Sequence, residues 1–144
     1  MWDEIVKYLP QFSSAVLTSV DGEGYPVSVR CHPQPDSAAQ VLRIGVPAGI
    51  GMRLGPAALL CHSVDEKLWD LKSFAVRGTL EQDGNDWIFR PTHFVPGFGL
   101  EPGDTERMTV EAQSAATRYL EKRGLSRPVV PWDKFKALRA RGNT

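Results

Sequence analysis

FSSAVLTSV (12–20), the reversal DGEG (21–24) and YPVSVRC (25–31) decide the fold of this chain. Ala15, Leu17 and Ser19 fall on one side of the first run, and Val16, Thr18 and Val20 on the other. That two-residue period is the mark of a strand. The Asp and Gly of DGEG suit a tight reversal. On the return, Val27 and Val29 alternate with Ser28 and Arg30, so one face is apolar and the other carries a hydroxyl and a guanidinium.

Downstream the same logic repeats. The stretch 32–40 is rich in Pro, Asp, Ser and Gln and reads as a loop, and VLRIGV (41–46) reads as a third strand. PAGIGMRLGP (47–56) sets three glycines between two prolines, which excludes a long helix and leaves one irregular turn around 50–54. AALLCHS (57–63) is continuously apolar and predicts a strand buried on both faces. A single helical turn is expected over 65–71. In KSFAVRGTL (72–80), Phe74, Val76, Gly78 and Leu80 alternate with Ala75, Arg77 and Thr79, and QDGND (82–86) turns the chain into WIFR.

The ends read as helices. Trp2, Ile5, Val6 and Leu9 have helical spacing and Pro10 stops it, giving a short amphipathic lid. THFVPGFGLEPG (92–103) reads as a loop whose aromatics must cover something. Asp104 is placed to cap a helix running to about Lys122, with Met108, Ala112, Ala115, Ala116 and Tyr119 as its apolar stripe and Gly124 just past its end. Pro131 opens a last helix with Trp132, Phe135 and Leu138 on one face. A helix, six strands and two helices make an α+β chain, mainly β, dominated by an antiparallel barrel.

Composition narrows the function classes. The 144 residues suit one domain, with the barrel at about 12–90 and a helical segment at about 104–141. Seventeen basic residues balance seventeen acidic ones, so net charge argues for neither nucleic acid nor a membrane as partner. Residues 1–10 carry Asp3, Glu4 and Lys7 and lack the apolar core of a signal peptide, and no apolar run approaches the ~18 residues of a membrane span. Cys31 and Cys61 lack CxxC spacing and lie in strands, where free cysteines behave as small hydrophobes; a cytoplasmic compartment is expected.

Familiar catalytic signatures are missing. There is no GxSxG and no HExxH, and His32, His62 and His93 lie in separate segments, so a three-histidine metal site has only loose spacing behind it. The glycines at 49, 51 and 55 carry one residue too many for a GxGxxG nucleotide loop and stand between strands.

SAVLTSVDGEGYPVSVR (14–30) resembles the first hairpin of the flavin-binding split barrels of the pyridoxamine 5′-phosphate oxidase-like group, which include F420-dependent reductases. RIGVPAGIGMRLGPAALLCHS (43–63) occupies the place of that group's cofactor-side connection and buried strand, with Gly55-Pro56 standing for its turn. VRGTL (76–80) resembles its later apolar-x-Gly-x-apolar strand. The resemblance spans roughly 12–90. It implies a six-stranded antiparallel split barrel, a homodimer with cofactor held between subunits, and an oxidoreductase using FMN or F420 on a small organic substrate. A non-catalytic cofactor carrier, or a ligand or haem sensor, on the same fold is the alternative. A β-barrel interaction module without a small ligand is a third.

A flavin or deazaflavin needs apolar walls for its ring, and cations or amides for its phosphate. Arg30, Arg43, Arg53, Lys67, Lys72 and Arg77 fall on or beside the strands, as do Thr18, Ser28 and Ser63. A cation at a strand edge is more often simply solvated. Arg43, between Leu42 and Ile44, fits that description best. The cofactor-binding expectation therefore rests on Thr18, Ser28, Arg30, Arg53, His62, Ser63 and Lys72, with no catalytic acid or base nominated. His62 is equally suited to a backbone-bonded core role, and Trp69 and Trp87 to core or interface packing. The 47–53 connection departs from the group by bringing one cation, Arg53, late; glycine amides can substitute, or F420 or haem can replace FMN. Lys134, Lys136, Arg139 and Arg141 make a basic end that suits either an anionic cofactor tail or a solvated helix terminus.

Overall fold

The first hairpin forms as its alternation demands. In the computed structural model, which describes residues 1–67, 70–84 and 86–141, β1 (Ala15–Val20) pairs antiparallel with β2 (Pro26–Cys31), Thr18 opposite Ser28. Asp21 fixes the reversal: its Oδ1 accepts the N–H groups of Glu23 and Tyr25, each at 2.9 Å. After a short strand β3 (Gln34–Asp36) come β4 (Val41–Ile44), β5 (Gly55–Ser63), β6 (Lys72–Asp83) and β7 (Asp86–Pro96). They form one antiparallel sheet in the order β2-β1-β5-β6-β7-β4-β3.

Among the described residues seven strands replace the expected six. The extra one, β3, sits in the stretch read as loop, because its polar sequence QPD carries no apolar signal; Asp36 nevertheless pairs with Val41 and binds Arg43 at 3.2 Å. β7 also runs past the expected end at Arg90 and takes up Pro91. A register shift between Arg77 and Gly78 makes room for that proline, which has no N–H for the ladder. Gly78 is required there: a Cβ would lie 2.3 Å from the Arg90 carbonyl oxygen and 2.7 Å from the Phe89 ring.

The two edges of the sheet, β2 and β3, are joined by His32 and Pro33 alone. Three Cα steps span at most ~11 Å. Outer strands of a flat seven-stranded sheet would stand ~29 Å apart. The sheet therefore curls until its edges approach at that end, although no ladder joins β2 to β3 among the described residues.

Inside the curl lies the core, with Leu17, Leu42, Leu59, Val76, Leu80 and Phe89 fully buried. Helix α1 (Trp2–Tyr8), followed by a 3-10 turn (Leu9–Gln11), closes one end, as Trp2, Ile5 and Leu9 predict, though Val6 stays outside. Tyr8 stacks on Phe94 at 6.0 Å, and Phe94 packs on Phe74 at 5.3 Å, so Phe94 is a covering aromatic placed by a strand rather than a loop.

The burial expected on both faces of β5 is found on one. Leu59 and Cys61 are buried while Ala58 and Leu60 face out. Cys31 and Cys61 both pair with Ala15 from opposite sides, which puts their Cα atoms ~9.6 Å apart, beyond disulfide reach. Both are free, and burial pushes the Cys61 thiol up to about 12.

Two compact units divide the chain, Met1–Met108 and Thr109–Thr144. Helix α2 (Asp104–Lys122) spans the expected range, but Asp104 does not cap it. Its carboxylate turns back to accept the N–H groups of Leu100 (3.0 Å) and Glu101 (2.7 Å), and takes Arg107 Nη2 at 2.6 Å. Gly124 ends the helix as predicted, with φ 63°; Leu125 N–H donates to Leu120 O and Gly124 N–H to Glu121 O. Pro131 precedes α3 (Trp132–Arg141), and Lys134 N–H donates to its carbonyl. Among the described residues no helix is long and apolar enough to cross a membrane.

Candidate functional site

Strand pairing decides which candidate residues meet. On the outward face of β2-β1-β5-β6-β7, Ser28, Thr18, Ala58, Arg77 and His93 form one row across the sheet. The next row holds Arg30, Val16, Leu60, Ala75 and Val95, and His62 lies opposite Ser73 one row further. The inward-facing residues of these strands fill the core.

Three of the seven expected residues lie on this face in neighbouring rows, in two separate hydrogen bonds. Thr18 Oγ1 and Ser28 Oγ share a hydrogen bond of 2.8 Å, and Arg30 Nη1 donates to Ser14 Oγ at 2.7 Å. A guanidinium has five N–H donors, and no ion pair occupies Arg30 among the described residues. It is pre-oriented by one neutral hydroxyl and open to an anion. Arg77, in the same row as Thr18, is likewise outward-facing and exposed.

His62 is placed differently. Its Nδ1 is buried and has no hydrogen-bond partner among the described residues. A buried polar atom without a partner costs ~1–3 kcal/mol, which fits neither a backbone-bonded core histidine nor a solvated one.

The remaining candidates separate. Ser63 and Lys72 pair at the turn end of the β5–β6 hairpin, where Lys72 Nζ lies 3.6 Å from Asp70. Arg53 sits at the far end of β1, its N–H donating to Val20 O at 2.7 Å and its carbonyl accepting the buried Ser19 hydroxyl at 2.9 Å. Six residues of strand separate that row from His62, ~20 Å. One chain cannot bring Arg53 and His62 to the same small group. Arg43 is tied between Asp36 (3.2 Å) and Asp86 (3.3 Å), in keeping with a surface role. Trp69 and the side chains of Arg139 and Arg141 lie outside the described residues, and Trp87 packs half-buried against the core.

Beside Arg30, a pocket of about 320 Å³ opens between Ser13, Ser14, His32 and Gln34, floored by Leu9, Phe12 and Pro33. Ser14 belongs to both, so the pocket and the Arg30 group share a wall.

A second cluster, not foreseen from the sequence, joins α1 to the segment before α2. Tyr8 Oη donates to Glu101 Oε1 at 2.7 Å, and Lys7 Nζ donates to the same oxygen at 2.5 Å and to Tyr8 Oη at 3.2 Å. These bonds hold the Glu101 carboxyl below the usual carboxylate range, the Lys7 donation first. The bond to Glu101 raises Tyr8 above the ordinary phenol value and Lys7 above the ordinary amine value. A cleft of about 400 Å³ lies alongside, lined by Tyr8, Phe94, Pro96, Glu101 and Arg107 among others. Residues 8 and 101 are remote in sequence and neither carries a motif, so only the fold reveals the cluster.

Among the described residues no group of three His, Cys, Asp or Glu side chains is arranged to hold a metal ion. Comparison with protein-family models, curated proteins and solved structures gives no match, so the family resemblance of the first hairpin stands on the residues that carry it.

Proposed function

We propose that this chain is a split-barrel protein that binds FMN or F420 on the outward face of β1, β2, β5 and β6, and acts as an oxidoreductase on a small organic substrate. The observation that carries the reading is the connection between the two sheet edges: two residues join strands that lie six positions apart in strand order. A curled antiparallel sheet with nearly meeting edges is the skeleton of such a barrel, with β3 an added short edge strand.

The residues of the outer face suit the group. Val16, Ala58, Leu60 and Ala75 make a low apolar floor for a flat ring. Arg30, held by Ser14, and the Thr18–Ser28 hydroxyl pair offer donors for a phosphate. The unpartnered Nδ1 of His62 has the chemistry to pair with a polar ring edge. When bound, the ring supplies hydride transfer; the chain's own residues bind, orient and shield it.

A second copy completes this picture. The apolar outer face of β5 is uncovered in one chain, and Arg53 reaches the Arg30–His62 region only if it comes from elsewhere. A homodimer with cofactor at its seam answers both. Equilibrium dialysis of the purified protein against FMN and, separately, F420 tests the reading: micromolar uptake of one is expected, and uptake of neither overturns it. Steady-state assays with the reduced cofactor and a panel of quinones and enones then separate an enzyme from a carrier, which binds without turnover.

A further inference from the structure

The balanced net charge conceals a division. Residues 1–108 carry nine basic and fourteen acidic side chains, a net of −5, whereas residues 109–144 carry eight basic and three acidic, a net of +5. The positive unit is also bare. From 105 to 138 no residue is buried. Val110 and Tyr119 on α2, Leu125, Val129 and Val130 in the link, and Trp132, Phe135 and Leu138 on α3 all stand exposed. A ten-residue helix has marginal stability in water unless an apolar face is packed, and on α3 Trp132, Phe135 and Leu138 share one exposed face, with the Trp132 and Phe135 rings 5.9 Å apart.

The complementary surface is present on the negative unit. The β5–β6 ladder ends at the pair Ser63–Lys72, and Val64 and Leu71, the residues next to that pair on each strand, are both exposed. Around them stand Asp65, Glu66 and Asp70, against the single cation Lys67 in the turn and Lys72 at the last pair. An acidic rim with apolar side chains in it is what a basic helix bearing Trp132, Phe135 and Leu138 fits. Every copy of the chain carries both halves.

We propose that the C-terminal arm of one copy docks on a second copy, its Trp132, Phe135 and Leu138 on Val64 and Leu71, with Lys134 and Lys136 facing Glu66 and Asp70. The exchange is reciprocal, so two arms close one dimer. It holds whether or not a cofactor binds.

The test is amide exchange of α3 in the full-length protein over a concentration series, with sedimentation equilibrium on the same samples. Exchange of α3 is expected to slow by about tenfold or more in step with dimer formation. Lys134→Glu with Lys136→Glu should abolish that protection, and mixing with a Glu66→Lys, Asp70→Lys chain should restore it. Protection independent of concentration would mean that each arm lies on its own body and would overturn the proposal. Protection found only with anionic phospholipid vesicles would overturn it in favour of a membrane surface. A dimer whose α3 stays unprotected would also overturn it, while leaving FMN or F420 binding to the dialysis result.

Discussion

The two faces of β1 and β5 are built from the same strands yet behave as different materials. Inward, Ala15, Leu17, Leu59 and Cys61 lose all contact with water; outward, their immediate neighbours Val16, Thr18, Leu60 and His62 keep some. One residue of chain separates a group that holds the fold from a group free to bind. The inner face is apolar without exception among these four, while the outer face mixes small apolar groups with hydroxyls, imidazole and, on β2, a guanidinium. Such a mixture adds little to stability, and it is the composition a polar-edged flat ligand or a second subunit needs.

The largest effect is expected at a crowded point of the sheet. Gly78→Ala drives a Cβ into the Arg90 carbonyl oxygen at 2.3 Å, so the β6–β7 ladder must part. A loss of ~3 kcal/mol or more, read as a shifted urea midpoint, is expected. Next come adjacent leucines. Leu59→Ala, at a position 0% exposed, should cost ~2–5 kcal/mol. Leu60→Ala, at a position 41% exposed, should stay within ~0.5 kcal/mol in dilute solution, where any self-association is absent. Equal losses from the two would show that the outer face is core after all.

A smaller effect separates binding from folding. Arg30→Ala removes a guanidinium whose one bond among the described residues goes to a neutral serine hydroxyl, so the urea midpoint should not move. Cofactor affinity should fall about tenfold, the scale of one charge-assisted contact of ~1.5 kcal/mol. Unchanged affinity in dialysis would remove Arg30 from the site and with it the placement of the phosphate.

Local patterns made part of this legible and hid the rest. The first hairpin, α1, α2 and the glycine end of α2 declare themselves through short-range periodicity, turn chemistry and a helix stop. β3 does not, because three polar residues become a strand only when Arg43 and Val41 lie beside them. Pro91 made the end of β7 look like loop; a bulge in β7 itself, with Thr92 left between the partners of Arg77 and Gly78, accommodates it. The unbroken apolar run of β5 could not say which of its faces lacked cover. For the site, Thr18, Ser28 and Arg30 were within reach of one hairpin's alternation. Arg77 needed the β1–β5–β6 register, and the place of Arg53 beside Val20 needed the fold, because nearness in sequence to a strand says nothing about which end of the sheet it joins.

Tyr8 lies on the seam between the two materials, and gives the finest probe of the comparison. Its ring stacks on Phe94 inside, while its hydroxyl reaches Glu101 and Lys7 outside. The carboxyl of Glu101 is lowered by those donors, so its contribution is present above the ordinary glutamate range and lost as pH falls through the lower folded value. Tyr8 and Lys7 are raised, so theirs is present at neutral pH and lost as pH rises through their higher folded values. Stability should therefore drop on both an acid and an alkaline limb. Glu101→Gln should flatten both limbs at once, because the same carboxylate is the leading cause of the Tyr8 and Lys7 shifts. Melting temperature measured from acid to alkaline pH, wild type against Glu101→Gln, checks this. A variant that loses only the acid limb would show that Tyr8 and Lys7 are held by each other and not by Glu101.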